Sequence, residues 1–161
     1  MKLDLSNKQV DLSVSEEKWA VEVNNISELL ETTVQAIWQE IPKQPKTDIC
    51  VLLTNNKQMQ DLNKQYRGKD RPTNVLAFPA ADFPDTHLGD LALGYETCMQ
   101  EIANKGISLE GHLCHLFVHG VLHLVGFNHQ QQLEATEMER LESLVLLNLG
   151  HRDPWGEETN K

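Results

Sequence analysis

His119 and His123 lie four residues apart, and Gly126 and His129 follow at intervals of three, within His119-Gly120-Val121-Leu122-His123-Leu124-Val125-Gly126-Phe127-Asn128-His129. Residues four apart stand one above the other on a single face of an α-helix. Glycine takes the left-handed backbone that ends a helix without a steric penalty. The segment is thereby confined to a helix that stops near Gly126 and a turn that returns His129 to the other two imidazoles. Three neutral imidazoles with an open fourth position make a catalytic zinc arrangement, whereas structural zinc sites are closed by four protein ligands. One zinc ion held by His119, His123 and His129 would bring the pKa of its water to about 7. His115, one turn earlier, is too far along the axis to share the same ion and is read as an outer residue that orients a ligand, or as helix surface. His112, near the start of that helix, is given no role, and His87 and His151 are read as solvated.

The remainder of the chain reads as strands mixed with helices, followed by a helical half. Val10, Leu12 and Val14 alternate, as do Trp19, Val21 and Val23, so one or two strands are expected there. Ser27 is placed to cap a helix with Leu30, Val34, Ile37, Trp38 and Ile41 on one stripe, ending at Pro42. Residues 43–46 link that helix to a short apolar strand at 49–53. Asn55 or Asn56 starts a helix with Met59, Leu62 and Tyr66 inward, closed by Gly68. Strands are expected at 75–78, up to Pro79, and at 88–94, with a loop over 80–87. Helices are expected at 96–104, 109–125 and 133–149. This order predicts a single α+β domain over residues 1–161, with a small mixed β-sheet packed against several helices.

A formal net charge of −10 on 161 residues argues against a protein coated in basic surface, yet leaves room for a local basic cleft. Arg67-Gly68-Lys69-Asp70-Arg71-Pro72 is such a stretch, a basic loop in an acidic chain. Cys50, Cys98 and Cys114 have no CxxC spacing and are read as reduced core residues in a cytoplasmic setting. No secretory signal or membrane span is expected.

The histidine spacing is similar to the HExxHxxGxxH of metzincin proteases. Their general-base glutamate corresponds to Gly120 here, which disfavours peptide hydrolysis. The chain resembles the YbeY family of bacterial endoribonucleases more specifically. The histidine segment matches the HGxLHLxGyDH signature of that family. Leu62-Asn63-Lys64-Gln65-Tyr66-Arg67-Gly68-Lys69-Asp70 is similar to LNxxYRgkD, Pro72-Thr73-Asn74-Val75-Leu76-Ala77-Phe78-Pro79 to pT[DN]VLSFP, and Leu88-Gly89-Asp90 to LGD. Met138 and Glu142 fit the helix after the motif, whereas the N-terminal 45 residues carry little of the likeness.

The resemblance implies a zinc-dependent, single-strand-specific endoribonuclease that matures the 3′ end of small-subunit ribosomal RNA and takes part in ribosome quality control. Its partners would be single-stranded RNA, chiefly rRNA, and the ribosome or its proteins, with neither DNA nor membrane. Arg67 would be catalytic or contact RNA, because a guanidinium holds two phosphate oxygens and stabilises charge that grows during phosphodiester cleavage. His119 is the other candidate catalytic residue, and Lys69, Arg71 and Asn74 would line the RNA path beside Arg67. The nucleophile is either water or the RNA 2′-hydroxyl. Two positions depart from the family pattern: Asn128 replaces an aspartate, so an orienting role survives but proton transfer does not, and Ala77 replaces a serine. Two other readings stay open. One is a metal-dependent hydrolase of peptides or small molecules. The other is a non-catalytic ribosome-assembly factor stabilised by zinc.

Overall fold

The computed structural model describes residues 8–41, 48–80, 87–127 and 132–155. Asn128 and His129, the end of the helix expected to stop at Pro42, and most of the loop over 80–87 lie outside the described residues. The elements run β1 (Val10–Val14), α1 (Lys18–Glu22), α2 (Ile26–Glu40), β2 (Asp48–Thr54), α3 (Asn56–Arg67), β3 (Val75–Pro79), β4 (His87–Gly94), α4 (Tyr95–Ile102), α5 (Leu109–Leu124) and α6 (Gln132–Asn148). The strands form one mixed sheet in the order β1-β2-β4-β3. β1 and β4 run parallel to β2, and β3 pairs antiparallel with β4. This is the α+β arrangement expected from the order of elements.

Two expectations near the N-terminus are corrected. Trp19, Val21 and Val23 belong to no strand: α1 carries Trp19, and Val23 caps it. The burial explains the difference, since Trp19 and Val23 are 0% and 2% exposed while Val21 is 79% exposed. Two buried residues four apart are a helical stripe, and the alternation with Val21 is incidental. The indole of Trp19 then donates to Thr54 O at 2.9 Å, tying α1 to the end of β2. The cap of α2 is Asn25, with φ 51°, and Ser27 lies inside the first turn. Asn visits the left-handed region more readily than most residues because of its short polar side chain.

α2, α5 and α6 pack together, and α5 also lies against α4, β3 and β4. α5 is therefore enclosed on nearly every side. Leu113, Cys114, Phe117, Val118, Val121 and Leu122 are all fully buried. Gly120 faces the sheet so closely that a Cβ there would lie 2.7 Å from Leu91 Cδ2. The surface left half-open on this helix is a ridge of His112, His115, His119 and His123. α3 covers the opposite face of the sheet, where Met59, Leu76 and Ala92 form a second small cluster with Phe78 against it. Asn55 caps α3 by accepting from Gln58 N, and Gly68 closes it at φ 70°.

The start of β1 is fixed by a buried carboxylate. Glu31 of α2 is 1% exposed. It accepts Val10 N at 2.7 Å and Gln9 N at 3.0 Å. Removing it leaves a buried backbone donor without a partner, which costs about 1–3 kcal/mol. Glu31→Ala is accordingly expected to lower the urea midpoint by the equivalent of about 2 kcal/mol with an unchanged m-value, while Glu31→Gln, which keeps an acceptor, loses less. Equal stability of Glu31→Ala and the parent would refute this role.

Candidate metal centre

His119 and His123 project from successive turns of α5, as spacing of four requires. Their Nε2 atoms lie 3.1 Å apart, and the rings meet nearly edge to face at 78°. Behind them, His119 donates from Nδ1 to Glu142 Oε2 at 2.8 Å. The other oxygen of the same carboxylate accepts from His115 Nε2 at 2.7 Å and from the Trp155 indole at 2.9 Å. Glu142 belongs to α6 and its side chain is 1% exposed.

Burial alone pushes the Glu142 carboxyl up, but the hydrogen bonds from His115 and His119, the field of His119 and the bond from Trp155 outweigh it and hold the group down at about 2. The carboxylate is thus ionised at neutral pH and can only accept. Both bonded imidazoles must present an N–H to it. For His119 this places the proton on Nδ1, so a neutral ring turns the lone pair of Nε2 towards His123 Nε2. Two facing lone pairs at that separation repel unless a proton or a cation lies between them.

A divalent ion fits this pair. Tetrahedral nitrogens about 2.0–2.1 Å from zinc lie about 3.3 Å apart, close to the observed spacing. A ligating histidine that donates its other N–H to a carboxylate is the usual support of a metal centre, fixing tautomer and ring orientation. A third protein donor would complete the set, and its candidate, His129, lies outside the described residues.

Gly120 bears on the peptidase alternative. A carboxylate at this position would be driven into Leu91 of β4, away from the imidazole ridge. Gly126, with φ 110° and nothing near a would-be Cβ, provides the left-handed turn after α5.

Arg67 lies at the end of α3 and donates to Ala77 O, on β3, at 2.7 Å. Its guanidinium also lies 5.7 Å from the centre of the Phe78 ring. Ala77 pairs with Leu91, and Leu91 touches the turn of α5 that contains Gly120. Arg67 thereby rests against Phe78 on the face of the sheet that α3 covers, whereas His119 and His123 belong to the helix on the other face. Lys69 and Arg71 are exposed in the loop after α3. Asn74 is turned elsewhere: its amide donates to Glu101 Oε2 at 3.0 Å, and its carbonyl oxygen accepts Val75 N. Tyr66 is mostly exposed and meets Phe78 edge-on at 5.3 Å.

His87 and His151 differ from their expected solvation, and His112, given no role from the sequence, has a partner. His112 pairs with Glu101 Oε1 at 2.8 Å. His87 opens β4 and contacts Asp90 Oδ1 at 2.8 Å. His151 is half-buried, beside His112, His115 and Arg152 in a groove of about 340 Å³ along the first half of α5. Trp155, from the segment after α6, stands edge-on to His115 at 5.9 Å. Glu142 and Trp155 are the residues that spacing alone did not assign to the site. Glu142 lies 23 positions beyond His119, so no local pattern links them.

Comparison with known proteins follows this geometry. Residues 11–150 match the family model described as Endoribonuclease YbeY. The chain is 43% identical over 151 residues to Endoribonuclease YbeY of Chelativorans sp. (strain BNC1), covering 91% of this chain and 92% of that protein. It is 40% identical over 149 residues to Endoribonuclease YbeY of Maricaulis maris (strain MCS10), covering 92% of each. The solution structure of TM1509 from Thermotoga maritima is similar in fold, with a TM-score of 0.56 at 24% identity, covering 92% of this chain and all of that one.

The geometry predicts that Glu142→Gln keeps the fold but weakens zinc binding by about 10–100-fold, the usual effect of loosening the carboxylate behind a ligating histidine. Competition against a chromophoric chelator measures the affinity, with circular dichroism as the control for folding. Unchanged affinity would show that Glu142 does not orient the ligand.

Proposed function

This chain belongs to the YbeY family of endoribonucleases, and on that footing we propose that it is a zinc-dependent, single-strand-specific endoribonuclease that matures the 3′ end of small-subunit ribosomal RNA and serves ribosome quality control. The observation that carries the metal-dependent reading is the His119–His123 nitrogen pair backed by the buried Glu142. His129 is the proposed third ligand, and Asn128 beside it is proposed to orient a ligand through its amide.

His119, His123 and the proposed His129 would hold a zinc ion, which would supply Lewis acidity and lower the pKa of its water. The protein's own part is positional. Glu142 holds His119 in one tautomer and one rotamer, and it draws His115 into the same bond network. Since Glu142 already accepts three donors, it serves as an anchor and does not move protons. Arg67 has one N–H directed to Ala77 O, and a guanidinium carries five donors in all. The others are proposed to hold phosphate oxygens of the RNA and to stabilise their growing charge. Lys69 and Arg71, exposed in the adjoining loop, extend the basic rim along which RNA approaches. Asn74 is proposed to shape that path through its bond to Glu101. The peptidase reading loses support because position 120 faces Leu91 and cannot aim a base at the metal.

Purified protein should cleave single-stranded RNA, lose that activity to a strong chelator, and regain it with added zinc. His119→Ala should abolish cleavage, and Arg67→Ala should reduce kcat about 10²–10³-fold, as loss of one charge-stabilising donor does elsewhere. Chemical analysis of the new ends separates attack by water from attack by the 2′-hydroxyl. Folded variants that cleave like the parent, or chelator-resistant cleavage, would reject the mechanism.

A further inference from the structure

The face of the sheet opposite α5 is only partly covered by α3, and a groove of about 500 Å³ remains over its strands. Its polar lining includes Asp11 and Ser13 of β1, Cys50 of β2, Asp90 of β4 and Tyr66 of α3. Asp11 is the register partner of Cys50, and Cys50 is the partner of Asp90. The three therefore form one row across adjacent parallel strands, on one face.

A fourth donor joins them through an irregularity. Asp48 pairs with His87, but Ile49 pairs with Gly89, so β4 has one extra residue at Leu88. In an unbroken strand His87 and Asp90, three apart, would point to opposite faces. The extra residue cancels that alternation and re-aims His87 to the side of Asp90, a known use of bulges near functional sites. His87 Nε2 reaches Asp90 Oδ1 at 2.8 Å, and Cys50 Sγ lies 3.9 Å from Asp11 Oδ2. One donor atom each from Cys50, His87 and Asp90 lies within 4.8 Å of the others.

We propose that Cys50, His87 and Asp90, with Asp11 on the remaining side, form a second cation site, for a thiophilic divalent ion of the zinc class. The donor set of one sulfur, one imidazole nitrogen and carboxylate oxygens suits a borderline-soft tetrahedral ion, and not magnesium or calcium. The charge balance agrees. Two carboxylates flank the thiol, and the residues that line the groove include no lysine or arginine. Burial, and the carboxylates of Asp90 and Asp11, push the Cys50 thiol up, so without a cation the sulfur keeps its proton. Binding releases that proton to solvent and leaves a thiolate on the ion. A bound ion would clip β1, β2 and the start of β4 together on the face that no helix fully covers. This site is independent of the imidazole pair on α5: it shares no residue with it and lies on the other side of the sheet.

Cobalt(II) separates the two sites, because a thiolate ligand gives an intense near-ultraviolet charge-transfer band and an all-nitrogen site gives none. Titration of the full reduced chain with Co2+ should raise this band to the intensity of one thiolate ligand per chain, with up to two ions bound in all because the imidazole site on α5 takes the other, and Zn2+ should remove it. Cys50→Ser should abolish the band, His87→Ala should abolish or strongly weaken it, and Cys98→Ser and Cys114→Ser should leave it intact. His119→Ala should also leave it intact, whatever becomes of RNA cleavage. Circular dichroism confirms the fold of each variant, and His87→Ala provides the reading if Cys50→Ser does not fold. No band in the parent protein, or a band that survives Cys50→Ser or His87→Ala, would overturn the proposal.

Discussion

The bond network around the Glu142 carboxylate governs the centre. A carboxylate so deeply buried is costly unless its oxygens are satisfied, and here two imidazoles and an indole satisfy them. The consequences extend in two directions. Inward, the network joins α5 to α6 and brings Trp155, from the segment after α6, against His115. Outward, it decides which nitrogen of His119 carries the proton, and hence which lone pair faces His123. The link between α5 and α6 and the tautomer of His119 thus rest on the same side chain.

The enclosure of α5 explains how rigid this ridge can be. Its other faces are packed against α2, α4, α6, β3 and β4, so the histidines cannot drift by rotation of the helix. Gly120 and Leu91 set the depth at which the helix rests on the sheet. The same Leu91 pairs with Ala77, whose carbonyl receives Arg67, so the basic loop is referenced to the helix through the sheet. A guanidinium fixed to a strand, and imidazoles fixed to a packed helix, hold their relative position better than two loops would.

Much of this was legible in the sequence, for reasons that differ by element. The strands at 49–53 and 88–94 and the helix from 109 were readable because apolar runs and Gly126 mark them locally, whereas Ser108, which caps α5 by accepting from Gly111 N, was not read. α1 was misread because five residues are too few for the two periods to separate, and only the exposure of Val21 resolves them. The cap at Asn25 was missed because its left-handed backbone, not a side-chain bond, starts α2. The His119–His123 pairing followed from spacing alone, whereas Glu142 could not, since long-range packing brings it to His119. His87 was taken for a solvated loop residue because an extra residue in a strand leaves no mark in the local pattern. Asn74 shows the converse: its motif was visible, but its bond to Glu101 depends on α4.

The most direct test of a cation between His119 and His123 is anomalous diffraction at the zinc edge from crystals of the full chain grown with zinc. A strong peak about 2.0–2.1 Å from both Nε2 atoms is predicted, with the Glu142 bond to His119 intact. No peak there, or rings turned so that the two nitrogens point apart, would contradict the account.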